Sequence, residues 1–391
     1  VKKFININIS NTFEIKKLYQ SIIEPLKTKN DILEIKINSI LVGDLIYDSF
    51  LRKYNKSTID INDNKFKEFL IYFIKTFIFW ESYFENQSVK SLIVSHCVYM
   101  NAVPLRIAVE RNIDAYQINS ENCHRLNKEQ YFAYKEHLNY PEIFSKFDDK
   151  IKKNAIENSK KRLERRFSGE AGVDMRYSKI SAYGKFLNQR LISESPRKKI
   201  LLAAHCFSDS PHSYGRFLFP DFYEWIDFLG KLSEKTDYDW YIKTHPDYIQ
   251  SSRAQVEFFV NKYHKFKLLP VMSSHLQIIK EGIDFVLTVH GTIALEYAAL
   301  GKVVINASQV NPHAAYNFNI NPKSLNEYKN ILENLGNIKH AINKDSIYEY
   351  YYMRNIFKSA DWLFESYNLM INQLGGYKNQ YKPEVFNYWL K

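Results

Sequence analysis

The sequence predicts an α/β protein made of two doubly wound halves followed by a helical tail. Apolar runs of strand length alternate with helix-length amphipathic stretches along most of the chain, the pattern of βαβ units. A charged helical region, from about 127 to 187, interrupts this alternation once, after which it restarts cleanly. The last stretch, from 346 on, is aromatic and helical. A chain of 391 residues is long enough for two domains of ordinary size. The expected division is therefore 1–190 (with the helical insertion), 191–345, and 346–391 as closing helices packed across the domains.

Taken in order, Phe4 to Ile9 alternates as a first strand, and a helix follows near Thr12 to Leu26. Asp31 to Ile46 reads as strand-rich and runs into Gly43-Asp-Leu-Ile-Tyr-Asp-Ser-Phe-Leu-Arg52. Lys65 to Phe84 is a long aromatic helix, Ser91 to Ser95 a strand, Ala102 to Asn112 a helix and Asp114 to Ile118 a strand. In the second half Lys199 to Ala204 is a strand, followed by a polar turn and a helix from Asp221 to Glu234 that Pro220 and Asp221 open. Strands at Trp240 to Lys243, Lys267 to Leu269, Phe285 to Val289 and Val303 to Ile305 alternate with helices near 254–263, 276–282 and 292–300. Ile347 to Leu374 is expected as one long helical tail.

Composition limits the function classes. With 45% hydrophobic and 25% charged residues, 12 Gly and 11 Pro, the chain is globular and free of low-complexity segments or fixed repeats. Three cysteines (Cys97, Cys123, Cys206) show no metal-ligand spacing and no even pairing, so a reducing cytoplasm is the expected setting. The longest apolar run, Phe69 to Trp80, is interrupted by Lys75 and is shorter than the roughly 20 residues of a membrane span. A net charge of +11 favours anionic partners. Zinc-finger spacing and the aromatic-basic signature of an RNA-binding sheet are missing, so nucleic acid is not an expected partner. The densest basic run, Lys160 to Arg166, reads as a solvated helix face, with attraction to a membrane surface as the alternative.

The most informative stretch runs from Leu287 to Ile305: strand, tight turn at His290-Gly291, short helix, glycine stop at Gly301, strand. Such a unit directs its helix start at the crevice beyond the carboxyl end of the strand, where anions settle. Thr292 offers a hydroxyl and an amide to a phosphate, and Glu296, one turn deeper on the same face, could accept the hydroxyls of a ribose. A capped helix with a solvated Glu is the plainer reading. Two more segments end predicted strands of this half, His205-Cys-Phe-Ser-Asp-Ser-Pro-His212 and Lys243-Thr-His-Pro246, so all three are expected at one crevice.

Together these segments resemble nucleotide-sugar transferases of bacterial surface polysaccharides, above all the capsule and O-antigen Kdo transferases that use CMP-Kdo. They are similar, more distantly, to the GT-B sialyltransferases. Gly43 to Arg52 and Asn311-Pro-His313 resemble further segments of the same group. The nearest likeness is to retaining β-Kdo transferase domains of the WbbB type. The resemblance implies a GT-B fold, two Rossmann-like domains with a cleft between them, the first for the acceptor and the second for the donor. It also implies that Asp209 attacks the anomeric carbon and that His245 contacts the donor phosphate. From the residues alone, a carboxylate on such a turn serves as nucleophile, as general base or as a turn cap. Ser208, Ser210, Lys243, Pro246, His290, Gly291, Thr292, Glu296 and His313 complete the expected donor set.

On the acceptor side Glu121 and Glu136 are candidate bases, and His124 and Arg125 candidate acceptor contacts; Asp44 and Asp48 read as structural or acceptor-positioning. No metal or other cofactor is expected. Asp237-Tyr-Asp239 matches an acidic metal triplet but lies at the amino end of its strand, and reads as a turn. The expected reaction moves Kdo from CMP-Kdo to a polysaccharide acceptor. That acceptor would be lipid-linked, at the inner face of the cytoplasmic membrane, where positive charge favours peripheral contact. Three alternatives stay open: a sialyltransferase or other nucleotide-sugar transferase, a sugar-nucleotide epimerase, and a non-catalytic basic scaffold of polysaccharide assembly.

Overall fold

The computed structural model describes residues 12–118, 123–129, 132–174, 180–245, 250–357 and 367–376, with isolated positions beyond. The expected strand from Phe4 to Ile9 lies outside the described residues. Contacts divide the chain into two compact units. Segments Val1–Ile118, Cys123–Lys135 and Cys206–Ile226 belong to the first, Glu136–His205 and Asp227–Lys391 to the second. The grouping crosses position 190: the helical insertion joins the later unit, and the segment with Asp209 joins the earlier one.

The first unit opens with α1 (Thr12–Ile23) and α2 (Lys29–Leu33), the latter closed by a capping box between Thr28 and Asp31. The strand-rich reading of 31–46 is corrected here. Only β1 (Lys36–Ile37) and β2 (Ile40–Leu41) form, an antiparallel hairpin turning through Asn38 and Ser39 at φ 48° and 68°. From Gly43 the chain is already helical, as α3 (Gly43–Tyr54). Gly43 is required because a Cβ there would lie 2.1 Å from the Ile32 carbonyl oxygen. β-branched content misled the reading; tertiary burial of Gly43 through Leu51 decides for helix.

α4 (Asn64–Asn86) starts at Asp63, whose carboxylate accepts the Lys65 N–H at 2.9 Å. It buries Phe66, Phe69, Leu70, Phe73, Ile74 and Phe77, a single stripe at helical spacing. β3 (Ser91–Val94), α5 (Val103–Glu110) and β4 (Asp114–Ile118) make the expected parallel βαβ unit. β5 (Cys123–Leu126), a strand that the sequence reading did not expect, then runs antiparallel to β4. The few residues from 118 to 123 allow only a reversal, because a parallel crossover needs a dozen or more.

The second unit contains α6 (Tyr140–Ser145), α7 (Asp149–Phe167) and β6 (Lys199–Ala203), followed by α8 (Phe222–Ser233), which begins in the first unit. Asp221 caps α8 as expected, accepting the Glu224 N–H at 2.8 Å. The alternation continues with β7 (Asp239–Lys243), α9 (Gln250–Lys262), β8 (Phe266–Leu268), α10 (His275–Lys280), β9 (Phe285–Thr288), α11 (Ile293–Ala299) and β10 (Val303–Asn306). Gly301, at φ +79°, closes α11 in the left-handed conformation. All five strands are parallel, in the order β10-β9-β6-β7-β8. The strand order therefore reverses beside β6, and a ligand crevice opens at the carboxyl ends of β6 and β9 in sheets of this kind.

α12 (Leu325–Glu333), α13 (Lys344–Asn355) and α14 (Tyr367–Gln373) follow. The single helix expected from Ile347 to Leu374 is corrected: α13 ends at Asn355. Its Ile347, Tyr350 and Tyr351 pack with Tyr140, Phe144 and Leu163 of α6 and α7. Among the described residues no helix is long and apolar enough to cross a membrane.

Candidate active site

The rim at the strand reversal is organised by His205, just past β6. Its Nε2 accepts the Val289 N–H at 3.1 Å and lies 2.9 Å from Thr288 Oγ1. An accepting Nε2 puts the ring proton on Nδ1 and makes the imidazole neutral. Burial lowers its pKa to about 4, in the same direction. Thr288 Oγ1 in turn accepts the Gly291 N–H at 3.4 Å, and the His290 ring stands 4.9 Å from His205. His205, His290 and Gly291 are thus brought together. Thr292 caps α11 from an exposed position, with no side-chain capping bond.

Glu296 is placed differently from a free ribose acceptor. It is buried; Oε1 accepts from Arg166 at 2.5 Å and Oε2 from the Tyr183 hydroxyl. Its carboxylate is thus already engaged by two protein donors. Lys243 runs inward from the end of β7 and donates to the Val271 carbonyl at 3.0 Å. Burial lowers its pKa to about 8. Around this strand end the hydroxyls of Thr244, Ser273 and Ser274 are buried and, among the described residues, have no hydrogen-bond partner. Orphaned buried hydroxyls are what a site shows when a ligand or water completes it. His245 is exposed and lines a small pocket with Arg166, Glu170, Gly172, Ser181 and Tyr183. Pro246 lies outside the described residues.

Asp209 belongs to the first unit, on a turn held from both ends. At one end the buried Ser208 hydroxyl donates to Asn55 Oδ1 at 3.4 Å. At the other, Asp48 of α3 accepts twice from His212, at 2.6 Å from Nδ1 and 3.1 Å from the backbone N–H. Between them Asp209 is 59% exposed, with Oδ1 2.8 Å from the Tyr99 hydroxyl and 3.5 Å from Arg52 Nη1. Ser210 (φ 43°) and Tyr99 (φ 58°) take the left-handed backbone without being glycine, while Asn55 (φ 49°) does so as the ordinary cap that ends α3. Conformations of this kind persist where the surroundings over-determine them, and they concentrate at functional sites.

The remaining expected residues are dispersed. Glu121 lies outside the described residues. Glu136 accepts from the Tyr140 hydroxyl at 3.2 Å and pairs with Arg354 at 3.6 Å. His124 and Arg125 lie on β5, where Arg125 pairs with Asp114 at 2.5 Å. His313 is buried against Tyr350, and burial lowers its pKa to about 3. Asp239 begins β7, with Oδ2 accepting from Ser193 at 3.1 Å and Oδ1 paired with Arg197 at 3.0 Å. Asp44 makes a bidentate pair with Arg106 at 2.5 Å, a structural role, as Asp48 has.

Sequence reasoning missed Tyr99, Arg52 and Asn55 beside Asp209, and Thr288, Ser273 and Ser274 on the sheet rim. Ser273-Ser274 after a strand was the one readable signal, since paired hydroxyls at a strand end suit phosphate or ribose oxygens. No family model matches the chain, and no curated protein matches it. Among solved structures, Thermosulfurimonas dismutans KpsC, beta Kdo 2,4 transferase, is similar over 68% of this chain and 91% of its own, with 12% sequence identity and a TM-score of 0.40.

Proposed function

We propose that this chain is a retaining glycosyltransferase that moves Kdo from CMP-Kdo to a bacterial surface polysaccharide. One observation carries the reading: an exposed carboxylate, Asp209, is presented on a turn held by the hydrogen bonds of Ser208 and His212 and by the left-handed backbone of Ser210. A solvated capping Asp needs no such support. The motif resemblance supplies the donor class, and the orphaned hydroxyls beside Lys243 and His245 suit an anionic nucleotide.

In this proposal an oxygen of Asp209 forms a bond to the anomeric carbon, and the bond from that carbon to the phosphate oxygen breaks, its electron pair leaving on CMP. An acceptor hydroxyl then attacks the same carbon, passes its proton to a base, and returns the pair to Asp209. Glu136 and Glu121 are the candidate bases. His245 contacts the departing phosphate, Lys243 adds positive potential, and His290, Thr292 and the start of α11 take the part a metal would otherwise play. The earlier half of the chain would serve the acceptor and the later half the donor. A lipid-linked acceptor would bring the protein to the cytoplasmic face of the membrane.

Intact-mass spectrometry of wild type and Asp209→Asn, mixed with CMP-Kdo generated in place, tests this. One Kdo mass added to wild type and not to the variant supports the reading. Turnover without any adduct makes Asp209 a general base, and no binding or turnover of CMP-Kdo removes the donor assignment and turns the test to other nucleotide sugars.

A further inference from the structure

The two oxygens of Asp209 are not equivalent. The Tyr99 hydroxyl donates to Oδ1 at 2.8 Å, and Arg52 approaches the same oxygen at 3.5 Å. Among the described residues no hydrogen bond reaches Oδ2. The contacts differ in quality as well as length. Arg52 and Asp209 are each 59% exposed, a solvated pair that contributes little. Tyr99 instead brings a rigid ring on a left-handed backbone (φ 58°) at the head of the helical turn Tyr99–Ala102. Burial and then the Asp209 carboxylate push its phenol above the ordinary value, so near neutral pH the hydroxyl is a donor.

We infer that Tyr99 is a positioning residue that pins Oδ1 of Asp209 and leaves Oδ2 as the oxygen that bonds to the sugar. This rests on the proposal that Asp209 is the nucleophile. It also assigns Tyr99 to one half of the reaction. When Oδ2 bonds to the anomeric carbon, Oδ1 changes from carboxylate to ester carbonyl and becomes a weaker acceptor. The Tyr99 hydrogen bond therefore weakens as the glycosyl-enzyme forms. It strengthens as the acceptor attacks, the carbon–Oδ2 bond breaks and negative charge returns to Asp209. An interaction that grows towards the transition state of one step accelerates that step. Tyr99 thus favours release of the sugar from Asp209 more than its capture.

The test is Tyr99→Phe, followed by rapid-quench intact mass and steady-state kinetics with CMP-Kdo generated in place. Adduct breakdown is expected to slow about tenfold or more, the scale of a hydrogen bond to a charged group. The adduct then accumulates, and kcat falls while kcat/KM for the donor holds. Arg52→Ala is expected to leave breakdown within about threefold of wild type. Breakdown at the wild-type rate in Tyr99→Phe overturns the inference and leaves Asp209 in place; a uniform loss of all parameters overturns it as well. If wild type forms no adduct, the parent reading has failed, and a spectroscopic measurement decides the contact. With 3-fluorotyrosine at position 99, the fluorine resonance should move on Asp209→Asn, and an unmoved resonance overturns the Tyr99–Asp209 contact.

Discussion

Asp48 grips His212 at two points, Oδ1 2.6 Å from Nδ1 and Oδ2 3.1 Å from the backbone N–H, while His212 Nε2 donates to the Pro220 carbonyl at 3.0 Å. A carbonyl only accepts, so both ring nitrogens face acceptors and the arrangement favours the imidazolium. Burial opposes that charge, but Asp48 outweighs it and the His212 pKa is raised. Asp48→Asn is expected to cost on the order of 2–3 kcal/mol in denaturant unfolding near pH 6. The stabilisation from a raised His pKa is complete below the unfolded value and is lost as pH rises through the folded one. The gap between wild type and variant should therefore narrow on the alkaline side.

Asp209→Asn separates chemistry from packing. The side chain is 59% exposed and its ion pair is solvated, so the melting temperature should hold and stability should change by about 0.5 kcal/mol or less. On its proposed role as nucleophile, transfer activity should fall at least about a thousandfold. A variant that melts early and keeps its activity would make Asp209 a turn cap.

The alternation of the second half was legible because each strand, such as Ile200 to Leu202 or Phe285 to Leu287, is a short apolar run between turn signals. Its strand order was not legible, since pairing β6 with β9 joins residues more than eighty positions apart and leaves no local trace. For the same reason the hydrogen bond from the Val289 N–H to His205 and the one from Tyr99 to Asp209 leave no local trace. Local pattern failed where burial on all sides removed the period, as in α3, where Gly43 through Leu51 are all buried. Glu296 shows the converse. Its place one turn after Thr292 was readable, but the arrival of Arg166 and Tyr183 at its carboxylate was not.

Acid should unfold this protein through histidines held neutral in the fold, His205 partly buried and His313 fully. His205 titrates at about 4 and His313 at about 3, both lowered by burial, against about 6.5 in an unfolded chain. Below pH 6.5 the unfolded state binds these protons first, so stability is present above that pH and drains away as pH falls. For His205 the loss reaches on the order of 3 kcal/mol by pH 4. Unfolding free energies measured from pH 7 to pH 4 should slope downward, and His205→Gln should flatten the slope even if it lowers the plateau. An unchanged slope would remove the neutral-imidazole assignment.

Gly291 tests whether the turn after β9 holds a phosphate. A Cβ built there would sit 3.0 Å from Thr288 Oγ1 and 3.3 Å from His205 Cε1, tighter than ordinary contact. Thr288 and His205 would have to give by a few tenths of an ångström, which shifts the acceptor of the Gly291 N–H and the neighbour of His205 Nε2. The strain of that shift opposes the entropy that Gly→Ala removes from the unfolded chain, so Gly291→Ala should change stability by no more than about 1 kcal/mol. If the amides of this turn also face the donor phosphate, CMP affinity measured by calorimetry should fall by about tenfold, the loss of one charge-assisted hydrogen bond. Thr288→Val supplies the control. It removes the same hydroxyl without adding bulk at Gly291, so a CMP affinity that falls in both variants reports the turn's geometry, and one that falls only in Gly291→Ala reports the blocked approach of the phosphate. Wild-type affinity in both would move the nucleotide away from this turn and toward the hydroxyls of Thr244, Ser273 and Ser274.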